Sequence, residues 1–331
     1  MKRLALLAFV AACGNFQDPD IVLDLRVEAM VAEPANQVVD ITAQSQPADV
    51  LAQLAPTTVC ALTSDPSFDG GLDWSMTLCN TATNDRCADK TNGSNVSPAF
   101  VIGSGTIDDP DTTSPEPQLC ATIQPDANFA DVLVNSIQTD PLMGLGGVNY
   151  SIVLEVGDIG VDPSLDQFAE KELQVIPRIP SNVTQNHNPT ISGMTASVNG
   201  NHAGPFALGR CADLAAAGKA PLIVNTDDIV RLTPIEPPGI HETYVVPTID
   251  GGSQMFTEAI SYQWNAGNGS FSYDVTGGPV DLFGNTPPLF TDWYAPSSGS
   301  ITDVTDVPFF VMQRDDRLGE AWFEACIRVM P

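Results

Sequence analysis

The stretch VLDLRVEAMVAE, residues 22–33, sets Leu23, Leu25, Val27, Ala29 and Val31 against Asp24, Arg26 and Glu28. Successive side chains of an extended chain point to opposite faces, so this alternation predicts a strand with one face buried and one polar. Working outward, the runs QVVDITA, TTVCALT, WSMTLC, PAFVIG, QLCATI and NYSIVLEVG follow, each short and bounded by Pro, Gly, Asp or Asn. That punctuation reads as further strands separated by turns. One helix interrupts them: Phe129, Val132, Leu133 and Ile137 recur at helical spacing, with Asn128 as the expected N-cap. VIPRIPSNVTQNHNP, residues 175–189, holds three prolines and a polar centre, so an interdomain linker is expected there, with its core at 179–189.

Beyond it the strand pattern resumes in TISGMTASVNG, PLIVNT, IVRLTPIEP, ETYVVPTI, AISYQWNA, SFSYDV, DVPFFVMQRD and AWFEACIRVM. Strands at near-regular spacing suggest sandwiches. The expected fold is therefore mainly β: two antiparallel, immunoglobulin-like sandwich domains, residues 22–178 and 190–331, with one short helix in the first. The segments YQWNAGNGSFS, TDWYAP and FFVMQRDDRLGEAWFEACIRVMP resemble the closing strands of bacterial immunoglobulin-like and PKD-type modules over residues 260–331. The departure is DDRLGE, where such modules usually carry an Asp-rich, Gly-Gly turn. This resemblance implies an immunoglobulin-like C-terminal domain.

The N-terminus carries an address. Lys2 and Arg3 precede nine apolar residues, Leu4 to Ala12, too few for the ~20 that a spanning helix needs. The run ends Val10-Ala11-Ala12-Cys13, which resembles a bacterial lipobox. That likeness implies a signal peptide at 1–12, lipid on Cys13 and a tether at 13–21. Gly14 after the cysteine implies the outer membrane by likeness to enterobacterial sorting, leaving the periplasmic or outer face open. DPDIVLDLRVEAMVAEP also resembles the start of uncharacterised myxobacterial lipoproteins, which implies a compartment and no activity. A bacterial lipoprotein would leave the Asn-x-Thr triplets unglycosylated.

The chain has 13 basic and 41 acidic residues and a formal net charge of −28. Such an excess repels nucleic acid and anionic headgroups, so neither is expected as a partner of the folded part. Six cysteines remain after Cys13, an even number in an exported chain, and no C-x-x-C pair suggests zinc. Cys211 and Cys326 are alone in the C-terminal half and should pair. Cys79 and Cys87 bracket a short polar loop, which leaves Cys60 with Cys120. In AWFEACIRVM, Phe323, Ala325, Ile327 and Val329 share the apolar face, so Cys326 should point away from the core. A bridge to Cys211 would then pin GRCADLAAAGK on the outside of the last strand, over Trp322.

Chemistry is sparse. No G-x-S-x-G elbow, H-E-x-x-H, phosphate loop or dinucleotide fingerprint occurs. The three histidines are His187, His202 and His241; the last, beside Glu242, is the best placed for acid–base work, although solvated loops explain all three. Asp65, Asp69 and Asp73 surround a Gly-Gly turn, and Asp108, Asp109 and Asp111 cluster, as calcium loops do and as solvated turns also do. Neither follows EF-hand spacing, and no metal or cofactor is expected. Trp74 with Met76 and Leu78, and Trp264 with Tyr262, read as core. Trp293 and Tyr294 lie in a loop-like context, where packing is favoured over a sugar or protein contact. The function expected is an envelope-anchored, non-catalytic binding or structural lipoprotein, meeting the membrane through its lipid and a protein or polysaccharide through its domains. A secreted ester or glycoside hydrolase with a carboxylate-based site is the alternative.

Overall fold

The computed structural model describes residues 21–331 except 43, 67–69, 81–98, 108–118, 141–143, 145 and 249. The first half runs β1 (Arg26–Glu33), β2 (Gln37–Val39), α1 (Pro47–Leu51), β3 (Thr57–Ser64), β4 (Leu72–Cys79) and β5 (Ala99–Ile107). It continues with β6 (Leu119–Ile123), α2 (Ala127–Thr139), β7 (Val148–Asp158) and β8 (Gln167–Pro177). These strands make two sheets, ordered β1-β3-β6 and β2-β8-β7-β4-β5. Met30, Val59, Met76, Leu119, Tyr150, Leu154 and Leu173 form the core of this half.

The second half runs β9 (Gly193–Val198), β10 (Asn201–Phe206), α3 (Cys211–Ala216), β11 (Leu222–Asn225), β12 (Ile229–Ile235), β13 (Thr243–Pro247) and β14 (Ser253–Thr257). Then come β15 (Ser261–Ala266), β16 (Ser270–Phe271), β17 (Val275–Gly277), β18 (Thr291–Tyr294), β19 (Thr305–Arg314) and β20 (Glu320–Met330). Its sheets are ordered β10-β9-β12-β18-β16 and β11-β20-β19-β15-β17, and β13-β14 stand apart as a two-stranded ribbon.

The two halves repeat one plan. In each, a short early strand (β2 or β11) lies parallel to the last strand (β8 or β20), and the next neighbours are the penultimate strand and two middle ones. This is the immunoglobulin arrangement, with A-B-E facing a G-F-C-C′ sheet. Strand C carries a tryptophan both times, Trp74 on β4 and Trp264 on β15. Trp264 is fully buried and donates Nε1–H to Thr276 Oγ1 at 2.8 Å. Gly269 stands at φ +87°, and a Cβ there would fall 2.3 Å from the Trp293 indole nitrogen, so the turn after β15 needs glycine for Trp293 to pack.

Several local readings change. The alternation in residues 22–33 is broken by a bulge between Val27 and Ala29, where two residues oppose one on β3. Leu25 and Val27 pack on the first core before it, and Met30 and Ala32 after it, so Glu28 and Ala29 turn into a second buried layer. The N-cap of α2 is Asp126 rather than Asn128: its backbone is extended and its carboxylate accepts from the Phe129 N–H at 3.1 Å. α1 lies outside the expected elements, whereas GRCADLAAAGK, an Ala-rich stretch open to a short helix or an ordered loop, forms α3. QFAEKELQVIP, too polar to read as a strand, is β8 in the larger sheet of the first half. Trp293 lies on β18, fully buried and edge-on to Phe309 at 5.0 Å, so its loop-like reading is corrected. Flanking proline and glycine disguised a four-residue strand.

Residues 179–189 are not a slack tether. Asn186 N–H donates to Asn36 Oδ1 at 2.8 Å, and its side chain donates to Asp315 Oδ2 and Arg317 O. Asn188 Nδ2 donates to Ala32 O at 2.7 Å, while its Oδ1 accepts from the Glu320 N–H at 3.0 Å. The prolines and asparagines that suggested looseness supply a bolted connector. Beside it Val22, Ala29, Leu62, Phe310 and Met312 form a buried cluster, with Trp322 packed against it. Each of the four larger side chains so buried contributes roughly 1.5–3 kcal/mol, which favours joined sandwiches over hinged ones. Trp322 therefore supports this junction instead of lying beneath α3. The outer face of β20 is shared, with Trp322 toward the first sandwich and Cys326 toward α3.

Candidate functional site

Cys60 bonds Cys120 across directly paired positions of β3 and β6, at S–S 2.08 Å. Cys211 bonds Cys326 at 2.04 Å. Ala325, Ile327 and Val329 enter the core of the second half, and Cys326 on the opposite face holds α3. Neither bridge crosses between sheets as the antibody disulfide does. Cys79 is also disulfide-bonded. Cys13 and Cys87 lie outside the described residues, as do Asp69, Asp108, Asp109 and Asp111.

Asp65 and Asp73, two of the three aspartates around the Gly-Gly turn, make different contacts. Asp73 accepts from Thr106 Oγ1 at 2.7 Å, whereas Asp65 is buried beside Asp158. Burial, then the hydrogen bond and charge of Asp65, push the Asp158 carboxyl up to about 6. Among the described residues no group of three His, Cys, Asp or Glu side chains is placed to hold one.

Two of the histidines, His187 and His241, meet one feature. Glu242 and Glu258 close the base of the β13–β14 ribbon, with Glu258 N–H donating to Glu242 O and Glu242 N–H to Glu258 Oε2. Arg317, from the turn between β19 and β20, donates to Glu258 Oε1 at 3.0 Å and to Thr184 O of the connector at 2.8 Å. It also reaches Glu242 Oε2 at 3.5 Å and covers the Tyr244 ring at 4.9 Å. His187 Nδ1 lies 2.7 Å from Glu242 Oε1. His241 sits between Glu258 O at 3.0 Å and Glu236 Oε2 at 3.2 Å, and Tyr262 donates to Glu236 Oε1. The Glu258 side chain is 1% exposed. Burial, then the Asp315 charge, lift its carboxyl to about 7 against the pull of Arg317. Among the described residues, no hydroxyl or thiol hydrogen-bonds either histidine, so the cluster has an acid and bases but no paired nucleophile. Its geometric effect is to clamp the ribbon to the connector. His202 is exposed on β10, away from this group.

What the clamp presents was missed in the sequence. Every residue of β14 is exposed, including Met255 at 67% and Phe256, which stacks on Tyr244 at 5.6 Å. A second projection follows β17, where Leu282 is fully exposed and Phe283 is 91% exposed. It is ordered by Asp281, whose Oδ1 accepts from Phe283 N–H and Asn285 N–H, both at 2.8 Å. β17 runs antiparallel to β15 and the Gly278 N–H bonds Ile260 O, so this loop leaves the sandwich at the end where the ribbon enters β15. The signal available in sequence was Asp281-Leu282-Phe283-Gly284-Asn285, two large apolar residues held between turn formers.

No protein-family model matches this sequence, and no curated protein does. Among solved structures it is similar to Escherichia coli alpha-2-macroglobulin at 9% identity and TM-score 0.24, covering 95% of this chain and 17% of that one. Red sea bream transglutaminase aligns at 8% identity and TM-score 0.23, over 94% of this chain and 32% of that one. Extracellular cadherin domains 1–4 of protocadherin gamma B7 align at 10% identity and TM-score 0.17, over 91% and 49%. The chain thus spans less than half the length of each. The immunoglobulin-like assignment rests on strand order and pairing, not on these likenesses.

Proposed function

We propose that this chain is an exported, envelope-anchored lipoprotein that acts as a non-catalytic binding module. The observation that carries the binding role is the paired display of large apolar side chains, Met255 and Phe256 on one projection and Leu282 and Phe283 on another. Both leave the same end of the second sandwich, and both are held by hydrogen bonds rather than left loose. Exposed apolar groups on ordered loops cost solubility and mark contact surfaces. The disulfides indicate an oxidising, extracytoplasmic environment. No helix among the described residues is long and apolar enough to cross a membrane. The lipid anchor is supported by Val10-Ala11-Ala12-Cys13.

Two measurements test this reading. Labelled palmitate should mark the wild type and not Cys13→Ala; equal label in both removes the anchor. Cross-linking in native envelopes should give a discrete adduct that Leu282→Ser with Phe283→Ser removes at unchanged thermal stability. An unchanged adduct, or ester or glycoside turnover abolished by Glu242→Gln, moves the case to the hydrolase.

A further inference from the structure

We infer that the free edge of β14 receives an extended, basic-flanked strand from a partner protein. This rests on the binding reading above and names its mode. In the ribbon, Thr248 N–H bonds Gly252 O and Glu258 N–H bonds Glu242 O. With the register Tyr244↔Phe256 and Val246↔Gln254, those residues exchange the internal hydrogen bonds. The outward groups are then Thr243, Val245 and Pro247 on one side and Ser253, Met255 and Thr257 on the other.

The two edges differ chemically. Pro247 has no N–H, so the β13 edge is interrupted. The β14 edge presents a full alternation of donors and acceptors, and among the described residues no other strand pairs with it. SQMFT contains neither charge nor proline, the usual protections of an open edge. Both ends of the ribbon are tied. Asp250 accepts from Thr248 Oγ1 and Gly252 N–H at the tip, and Arg317 holds Glu258 at the base. A pre-ordered edge loses little conformational freedom on pairing.

The same surroundings select the occupant. Val245 and Met255 are directly paired and lie on one face of the ribbon, so an added strand meets an apolar side chain at its centre. Acidic groups stand at both ends, Asp250 at the tip and Asp316 near the base, where Glu242 and Glu258 together outnumber Arg317. They favour basic flanks on the incoming segment. A second copy of a chain with 41 acidic and 13 basic residues brings like charge instead.

The full chain should be titrated with a fluorescent peptide, KTVTVTK, and followed by hydrogen exchange. Saturable binding is expected, with exchange at Ser253, Met255 and Thr257 slowed about tenfold or more, and ETVTVTE at least about tenfold weaker. Met255→Pro removes an outward donor and should abolish binding while the near-ultraviolet signal of the stacked Tyr244 persists. Asp250→Asn keeps an acceptor for Thr248 Oγ1 and Gly252 N–H while removing the charge, and should weaken KTVTVTK and narrow its advantage over ETVTVTE. Unchanged exchange at β14 under excess KTVTVTK overturns the proposal. So does sedimentation showing a dimer that Met255→Pro dissolves, which assigns the edge to a second copy. If the peptide fails while the Leu282 and Phe283 variant still loses its envelope adduct, the binding reading stands and only this docking mode falls.

Discussion

Lys171 Nζ lies 3.0 Å from Glu320 Oε2, joining β8 of the first sandwich to β20 of the second across 149 residues, with each side chain 7% exposed. Lys171 also donates to Leu318 O at 2.9 Å, and Arg314 donates to Glu320 Oε1 at 3.0 Å. Nearby, Glu28 accepts from Ser64 and from Asn265 of the second half, both at 2.6 Å. The junction is therefore a buried polar network beside an apolar cluster, and polar networks in low dielectric tolerate no missing partner.

Lys171→Met should destabilise the folded chain by about 3 kcal/mol, because Glu320 keeps its charge but loses a buried partner. Adding Glu320→Leu should recover most of that loss, since an apolar pair of similar volume needs no desolvation. Urea denaturation of the two variants and the wild type gives both numbers. A single variant as stable as wild type shows the pair to be solvent-exposed in solution.

Cys211→Ser with Cys326→Ser should lower stability by on the order of 4 kcal/mol, as expected for a closed loop of this length. The bridge separates residues 115 apart and holds α3 on the outside of β20. Hydrogen exchange should rise first at residues 205–220, with the Trp264 and Trp293 core protected until global unfolding. Non-reducing peptide mapping checks the pairing itself.

Glu258 sets a pH dependence whose sign is fixed by its raised carboxyl, about 7 in the folded chain. The folded state retains a proton that the unfolded state has released, so this contribution is complete below the ordinary carboxylate range. It is lost as pH rises through about 7. Glu258→Gln should flatten the stability profile between roughly pH 5 and 8, by on the order of 2 kcal/mol over that span. Thermal melts of both proteins across that range measure it, and parallel profiles would show that Glu258 titrates normally.

Limited trypsin digestion should spare the connector despite its prolines. Arg178 donates to Val183 O at 3.0 Å and Arg317 to Thr184 O, so the backbone there is tied down. Asn186→Ala, which removes the bonds to Asp315 Oδ2 and Arg317 O, should open the stretch and bring early cuts near Arg178. Early cleavage in the wild type would return this segment to a flexible tether.

Some features were legible because they depend only on neighbours along the chain. Alternation marks strands, and face parity in residues 321–330 directed Cys326 out of the core before any fold was known. The helical spacing from Phe129 to Ile137 likewise needs nothing beyond the local period. Other readings failed where the partner, not the pattern, decides. Glu170, Lys171 and Glu172 carry no local signal of burial, yet β8 brings Lys171 into the junction where Glu320 meets it. The bulge at Val27/Ala29 depends on the pairing with β3, so the alternation alone places Glu28 on the wrong side.

Sequence by itself determined the β class, the expected address at the N-terminus, the acidic surface and the short list of possible disulfides, since composition and period are local properties. Tertiary structure decided which strands pair within the two immunoglobulin-like domains, because many apolar sequences fit the same pairing. It also decided that the proline-rich connector is bolted and that Arg317 gathers Glu242, Glu258 and Thr184 at one point. Those outcomes depend on which groups become neighbours after burial, where an unpaired charge is costly and a matched one is held.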